Sequence, residues 1–428
     1  MALQAQSLIG LAVIPLLAWA LSENRHAFVP ARLLRLVLGG LGLQLVIAAV
    51  MLNVAWVRVA FDWAARLVAA LQASTNAGMR LVFGYLAGGP SPFEVVRPET
   101  SFILAFHALP LILLISALSR LLYHWGVLQV VVRWAGWVLQ RSLGVTGPVG
   151  TAAAANIFVG MVEAPLLIRP YLANMSRSGL FATMTVGMAG VAGTVLALYA
   201  TVIGSVVPGA AGHLIVASVI SVPAALLLSE LMVPEEPAAK APAATDKATD
   251  IIIDDPPRSS MDAIAQGTRE GIDLLVNVTA MLIVIVALVA LANQVLGFAT
   301  EPLGVRLTFE QILGEVFAPL AWLIGIPWAE SAAAGALLGV KTVLNEFVAY
   351  LQLAAAPPGA LSDRSRLILT YALCGFANFG SLGIMIGGMA AMVPARRAEI
   401  ASLGAKTLIS GTLSTLMTAA VVGLMTRG

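Results

Sequence analysis

Two acids stand inside apolar sequence. Glu163 lies in "GMVEAPLLIRPYL" (160–172) and Glu346 in "LNEFVAYL" (344–351). A carboxylate enclosed by hydrocarbon costs several kcal/mol unless it is paired, hydrogen-bonded or facing a wet cavity. Such a group can accept from hydroxyl or N–H groups, carry a proton, or serve as an acid or base. The plainer alternative is that Glu163 pairs with Arg169, and Glu346 with Lys341, simply to hold their own segments together. Other polar atoms recur nearby, which that alternative does not explain. Asn156 is the one amide of "TAAAANIFVG", and Asn378 and Ser381 lie three apart in "CGFANFGSLGIMIGG" (374–388), on one face of a helix.

The elements that must position these groups belong to a membrane. Of 428 residues, 59% are hydrophobic and 11% charged, and the mean hydropathy is +0.93. Soluble domains carry roughly 25% charged residues. The net charge of +2 and the lack of a basic tract give no footing for nucleic acid, and the single Cys374 excludes an intramolecular disulfide. The apolar run from Leu8 to Leu21 lacks a basic lead and a small-residue cleavage site, so it reads as a retained first helix.

Spanning segments are expected near 7–22, 34–54, 101–123, 180–205, 212–233, 274–296, 365–389 and 402–426. Segments 55–87, 126–142 and 308–317 are amphipathic and read as interfacial helices. Trp56, Trp63, Trp322 and Trp328 suit interface anchors, and His107, inside the 101–123 span, suits a packing role better than a proton relay. Basic residues at 23–35 (Arg25, Arg32, Arg35) and 390–406 (Arg396, Arg397, Lys406) place those loops in the cytoplasm. Segment 297–330, with four glutamates against Arg306, falls outside, as do both termini.

Segments 147–176 and 329–357 do not fit as spans. Each half is about a dozen residues, roughly 18 Å of helix against a core about 30 Å thick. Both read as re-entrant helical hairpins. Gly160 permits the first turn, and Pro165 suits the start of a second half-helix whose free N–H groups face a cavity. Asn345 can cap the half-helix that begins near Glu346. A glycine-interrupted helix follows each hairpin. Interrupted segments in matching positions of two halves point to a transporter site at the midplane. The expected fold is all-α and polytopic: about eight transmembrane helices, two re-entrant hairpins in an inverted-repeat transport core, and interfacial amphipathic helices. Its parts are an N-terminal scaffold (1–100), a first core half (101–233), a polar cytoplasmic linker (234–260) and a second core half (261–428).

At "GMVEAPLLIRPYL", "LNEFVAYL" and "CGFANFGSLGIMIGG" the chain resembles the concentrative nucleoside transporter family, from about residue 100 to the C-terminus. The resemblance implies a homotrimer in the inner (plasma) membrane. Each protomer would have a scaffold and a transport part, and would carry nucleoside uphill with a cation. It implies that Glu346, Asn378 and Ser381 hold the ribose and that Phe376 lines the nucleoside site. Typical members read Gly-Gln-Thr-Glu at the first hairpin tip, where Gln and Thr help bind the base. Here those positions are Met161 and Val162, with Glu163 kept, so altered base preference or a nucleoside-like substrate is expected. Sodium-coupled relatives use the amide matching Asn156, backbone oxygens near Val159 and Val191, and a serine where this chain has Gly190. The lost hydroxyl and the two glutamates tilt the expectation from Na+ towards H+ as the coupling cation. No other cofactor is expected.

Two other classes compete. A gate-type membrane protein shares hairpin motifs without transporting, but the full set of Glu346, Asn378 and Ser381 argues against it. An intramembrane enzyme could pair Glu163 with Glu346, yet no nucleophile, metal or nucleotide motif accompanies them.

Overall fold

A helix that enters hydrocarbon must satisfy its own backbone, so the apolar runs of this chain can only become helices. The computed structural model describes residues 2–25, 30–94, 103–235, 256–303 and 307–426, and within them the side chains of 2, 30–36, 53, 55–58, 60–62, 64, 65, 281, 285 and 303 are not described. Most of the linker expected at 234–260, Arg306, and the side chains of Arg32, Arg35, Trp56, Arg58 and Asp62 thus lie outside the described residues.

The described residues contain helices and no strands. In order these are α1 (Ala2–Ala20), α2 (Pro30–Asn53), α3 (Ala55–Phe83), α4 (Leu104–His107), α5 (Leu111–His124), α6 (Val127–Leu143) and α7 (Gly147–Ala155). Two four-residue turns follow, α8 (Glu163–Leu166) and α9 (Arg169–Leu172), then α10 (Arg177–Ala189), α11 (Gly193–Ile203), α12 (Ala210–Met232) and α13 (Ser260–Thr300). The chain ends with α14 (Phe309–Leu323), α15 (Trp328–Val343), α16 (Glu346–Ala354), α17 (Asp363–Leu373), α18 (Phe379–Met392) and α19 (Arg397–Met425). Among the described residues, six stretches are long and apolar enough to cross a bilayer: Leu3–Ala20, Leu104–His124, Arg177–Ile203, Ala210–Met232, Ser260–Thr300 and Pro394–Met425.

The same series of elements occurs twice. A hairpin (α7 to α9, or α15 to α16) leads into a broken helix (α10/α11, or α17/α18) and then into one long buried helix, α12 or α19. The stretches 180–205 and 365–389 are each two helices, interrupted at 190–192 and 374–378. The segment 308–317 belongs to the longer α14, which meets α15 at a bend of 116°.

Outside this core, α13 runs for 41 residues, about 60 Å at 1.5 Å per residue. It lies along α5 through a small-xxx-small pair. A Cβ on Gly267 would stand 2.6 Å from Ser116 O, and one on Gly271 would stand 3.1 Å from Leu113 Cα. Glycine at both positions lets the two backbones approach.

Charges gather at one end of the bundle. Arg177 Nη2 lies 2.8 Å from Glu23 Oε1, and Lys406 Nζ lies 2.7 Å from the same oxygen. Arg396 pairs with Glu399 at 2.7 Å and donates to Leu172 O and Met175 O, which fastens the end of the first hairpin to the start of α19. The Arg177 hydrogen bond, with Lys406 assisting, outweighs desolvation and holds the Glu23 carboxyl at about 2. A depressed carboxyl stabilises the fold above its ordinary value of 4.5, and that contribution fades as pH falls towards 2. Glu23→Gln should therefore lower the melting temperature in detergent at neutral pH. The gap to the parent should narrow below pH 4.5 and shrink in high salt, because the cluster is partly exposed. A gap independent of pH would show that the ion pairs are not its source.

Candidate functional site

Each interrupted helix leaves backbone groups unpaired, and neighbouring breaks and the first hairpin tip supply their partners. Gly193 N–H donates to Phe158 O at 3.2 Å, joining the start of α11 to the first hairpin tip. Phe376 N–H donates to Gly190 O at 3.1 Å, joining the two helix breaks. Close approach forces glycine here. A Cβ on Gly193 would stand 2.7 Å from Phe158 O, and one on Gly375 would stand 2.9 Å from Ala189 O.

Beside this crossing opens a cavity of about 620 Å³. Met161, Val162, Glu163 and Val159 of the first hairpin line it, with Glu346 of the second and Phe376, Asn378 and Ser381 of the α17/α18 break. Asn156 and Val191 are buried behind the first hairpin tip and do not line it.

Glu346 is the best-supported acid. Asn345 caps α16 by accepting from Val348 N–H at 2.9 Å, which puts Glu346 in the first turn, where the helix dipole favours negative charge. Asn378 caps α18 in the same way, accepting from Ser381 N–H at 2.7 Å. With Oδ1 so committed, Nδ2 of Asn378 faces Glu346 and donates to Oε2 at 3.0 Å. Tyr199 O–H donates to Oε1 at 2.5 Å. Asn378 and Ser381 are therefore related as cap and capped residue at the head of α18, where the sequence suggested one face of a continuous helix.

The pairing of Glu346 with Lys341 is not what forms. Lys341 Nζ donates to Ala372 O at 2.9 Å and Thr415 Oγ1 at 2.7 Å, at the C-terminal end of α17 where a cation suits the helix dipole.

The first hairpin departs from expectation in its return limb. Instead of one half-helix beginning near Pro165 there are only the turns α8 and α9. Pro165 and Pro170 each remove a backbone donor, so a regular ladder cannot run through. Met161 packs against α10 and Val162 against α18, as well as lining the cavity. A Cβ on Gly187 would stand 3.1 Å from Met161 Cβ, and one on Gly388 would stand 2.8 Å from Val162 Cγ1. Glu163 is exposed to the cavity.

At Asn156 the Nδ2 donates to Val186 O at 2.9 Å, while Oδ1 is buried with no hydrogen-bond partner among the described residues. A Cβ on Gly190 would stand 2.7 Å from that Nδ2. The amide occupies the room that a larger residue would need. Such an oxygen is chemically suited to a hard cation.

Sequence reasoning missed Tyr199, whose only signal was a hydroxyl in "VLALYA". It also missed the Arg120–Glu270 ion pair (3.5 Å), which lines the cavity from α5 and α13. His107 lies away from the cavity, its ring bonded to the Ile103 backbone.

Three family models match this chain: the N-terminal part of the Na+ dependent nucleoside transporters at residues 9–86, their C-terminal part at 213–423, and a nucleoside-recognition "Gate" at 105–206. The chain belongs to the concentrative nucleoside transporter family. It is 36% identical to the nucleoside permease NupC of Helicobacter pylori, over 98% of this chain and 97% of that one. It is 41% identical to an uncharacterized transporter of Haemophilus influenzae, over 98% and 97%. The solved structure of CNTnw in an inward-facing substrate-bound state matches with a TM-score of 0.87 at 38% identity, covering 99% of this chain and 97% of that one. These relatives are transporters and not enzymes, which removes the acid–base reading of Glu163 and Glu346.

The double role of Asn378 can be separated. Asn378→Ser keeps a cap and loses the donor to Glu346, at a cost of about 1–3 kcal/mol. Asn378→Asp keeps the cap but sets a second carboxylate against the first, which costs more. Melting temperatures in detergent should fall in the order parent, Ser, Asp. A parent-like Asp variant would mean that the amide does not face Glu346.

Proposed function

We propose that the protein is a symporter that carries a nucleoside into the cell with a cation, working as a homotrimer in the inner membrane. The observation that carries this reading is Glu346 held between Tyr199 and Asn378 at the wall of the cavity. A carboxylate offers more acceptor sites than two donors fill. Vicinal ribose hydroxyls would donate to those that remain, with Ser381 beside them and Phe376 against the nucleoside.

The base would meet an apolar wall of Met161 and Val162 and one acceptor-only group, Glu163. Readout through the usual amide and hydroxyl of the tip is lost, and recognition falls to base N–H groups that can donate to a carboxylate. For the coupling ion, the partnerless Oδ1 of Asn156 supports Na+ near Val159 and Val191. The missing hydroxyl at Gly190 is what favours H+ as the second reading. The gate-type alternative is disfavoured because the nucleoside-recognition match is flanked by both transporter matches on one chain.

Uptake of a labelled nucleoside panel into proteoliposomes, with Na+ and pH gradients imposed separately, tests the whole reading. Accumulation under one gradient names the ion, whereas no accumulation under either would overturn the proposal. Glu346→Gln should reduce uptake about a hundredfold, the scale of a lost hydrogen bond to a charged group. Met161→Gln combined with Val162→Thr should raise uridine affinity. It should also lower the stability of nucleoside-free protein, because Met161 packs against α10 and an amide there needs a partner. Unchanged uridine affinity would mean that the tip does not touch the base.

A further inference from the structure

Tyr199 is 3% exposed, on α11, far in sequence from both hairpin tips. Its ring stacks on Phe347 with centroids 5.9 Å apart and tilts against Tyr350 at 5.1 Å. Tyr350 is itself tied down, its hydroxyl donating to Thr370 O at 2.8 Å. The Tyr199 ring is therefore fixed by packing, independently of where its hydroxyl points. That hydroxyl donates to Glu346 Oε1, while Asn378 from the head of α18 donates to Oε2.

Two donors from two different helices thus pin the two oxygens of one carboxylate. A carboxylate held at one oxygen can still turn about its last carbon–carbon bond. Held at both, its plane is set before substrate arrives, and the ordering cost is removed from the binding step. We infer that Tyr199 is a positioning residue for ribose recognition, fixing the plane of Glu346 so that vicinal hydroxyls meet both oxygens, and thereby setting the preference for ribonucleosides over nucleosides lacking those hydroxyls. The inference rests on the reading that Glu346 accepts from the ribose.

Tyr199→Phe keeps the ring and its stacking and removes only the donor. In proteoliposomes the KM for a ribonucleoside should rise about ten- to hundredfold, the span expected for one hydrogen bond to a charged group. The KM for the dideoxynucleoside of the same base should stay where it is, so discrimination falls by the same factor. An equal rise for both substrates, or no rise for either, overturns the role of Tyr199. A merely structural residue would give the equal rise.

Failure of the underlying reading looks different. The parent protein would then take the ribonucleoside and the dideoxynucleoside alike, or Glu346→Gln would leave their ratio untouched, and the role of Tyr199 would fall with it. Should Tyr199→Phe not yield folded protein, a ring-fluorinated tyrosine at position 199 carries the test by fluorine NMR. The ribonucleoside should move that resonance and the dideoxynucleoside should not. A resonance indifferent to both overturns the inference.

Discussion

The hydrogen bonds from Gly193 N–H to Phe158 O and from Phe376 N–H to Gly190 O allow this chain to interrupt its helices deep in apolar surroundings. A broken helix in hydrocarbon is costly, because water is not there to take the freed groups. One break takes a partner from the hairpin tip beside it, and the two breaks share a bond with each other. The glycines at 193 and 375 follow from that exchange, since backbones must come within hydrogen-bonding distance where a side chain would stand. Without the exchange α10, α11, α17 and α18 would have to run straight, and there would be no cavity between the halves.

Once the breaks exist, helix ends supply the electrostatics. Asn345 and Asn378 cap two helices whose first turns meet at Glu346, so the acid sits where positive ends of dipoles converge. The buried cation of the same region, Lys341, goes to the opposite kind of place, the carbonyl end of α17. Each charge is matched to a helix terminus first and to side-chain donors or acceptors second. That arrangement explains why acid and lysine five residues apart do not pair with each other.

Much of this was legible in the sequence because it is written in local patterns. Hydropathy runs marked the apolar helices, and the pairing of two glycine-rich interruptions with two embedded glutamates marked the cavity. Asn345 read correctly as a cap, since capping depends on residues within one turn. The failures share a physical cause. Tyr199 is 147 residues from Glu346 and Thr415 is 74 from Lys341; no periodicity records partners so distant. Asn378 and Ser381 were placed on one helix face because a helix start and a helix middle share the same spacing of three. In the return limb of the first hairpin Pro165 suits a helix start, but Pro170 removes a second donor five residues on, and the limb becomes two short turns where a half-helix is expected.

The burial of Lys341 near Glu346 bears on how voltage acts on the protein. A membrane potential does work on moving charge, about 2.3 kcal/mol per elementary charge for each ~100 mV. Glu346 and Lys341 are carried on one continuous hairpin, α15 to α16, so their formal charges cancel for any translation of the hairpin as a body. The field then gains no purchase on this pair. Of the hairpin and its contents, what remains for the potential to drive is Glu330 at the start of α15 and whatever charge the cavity itself takes up.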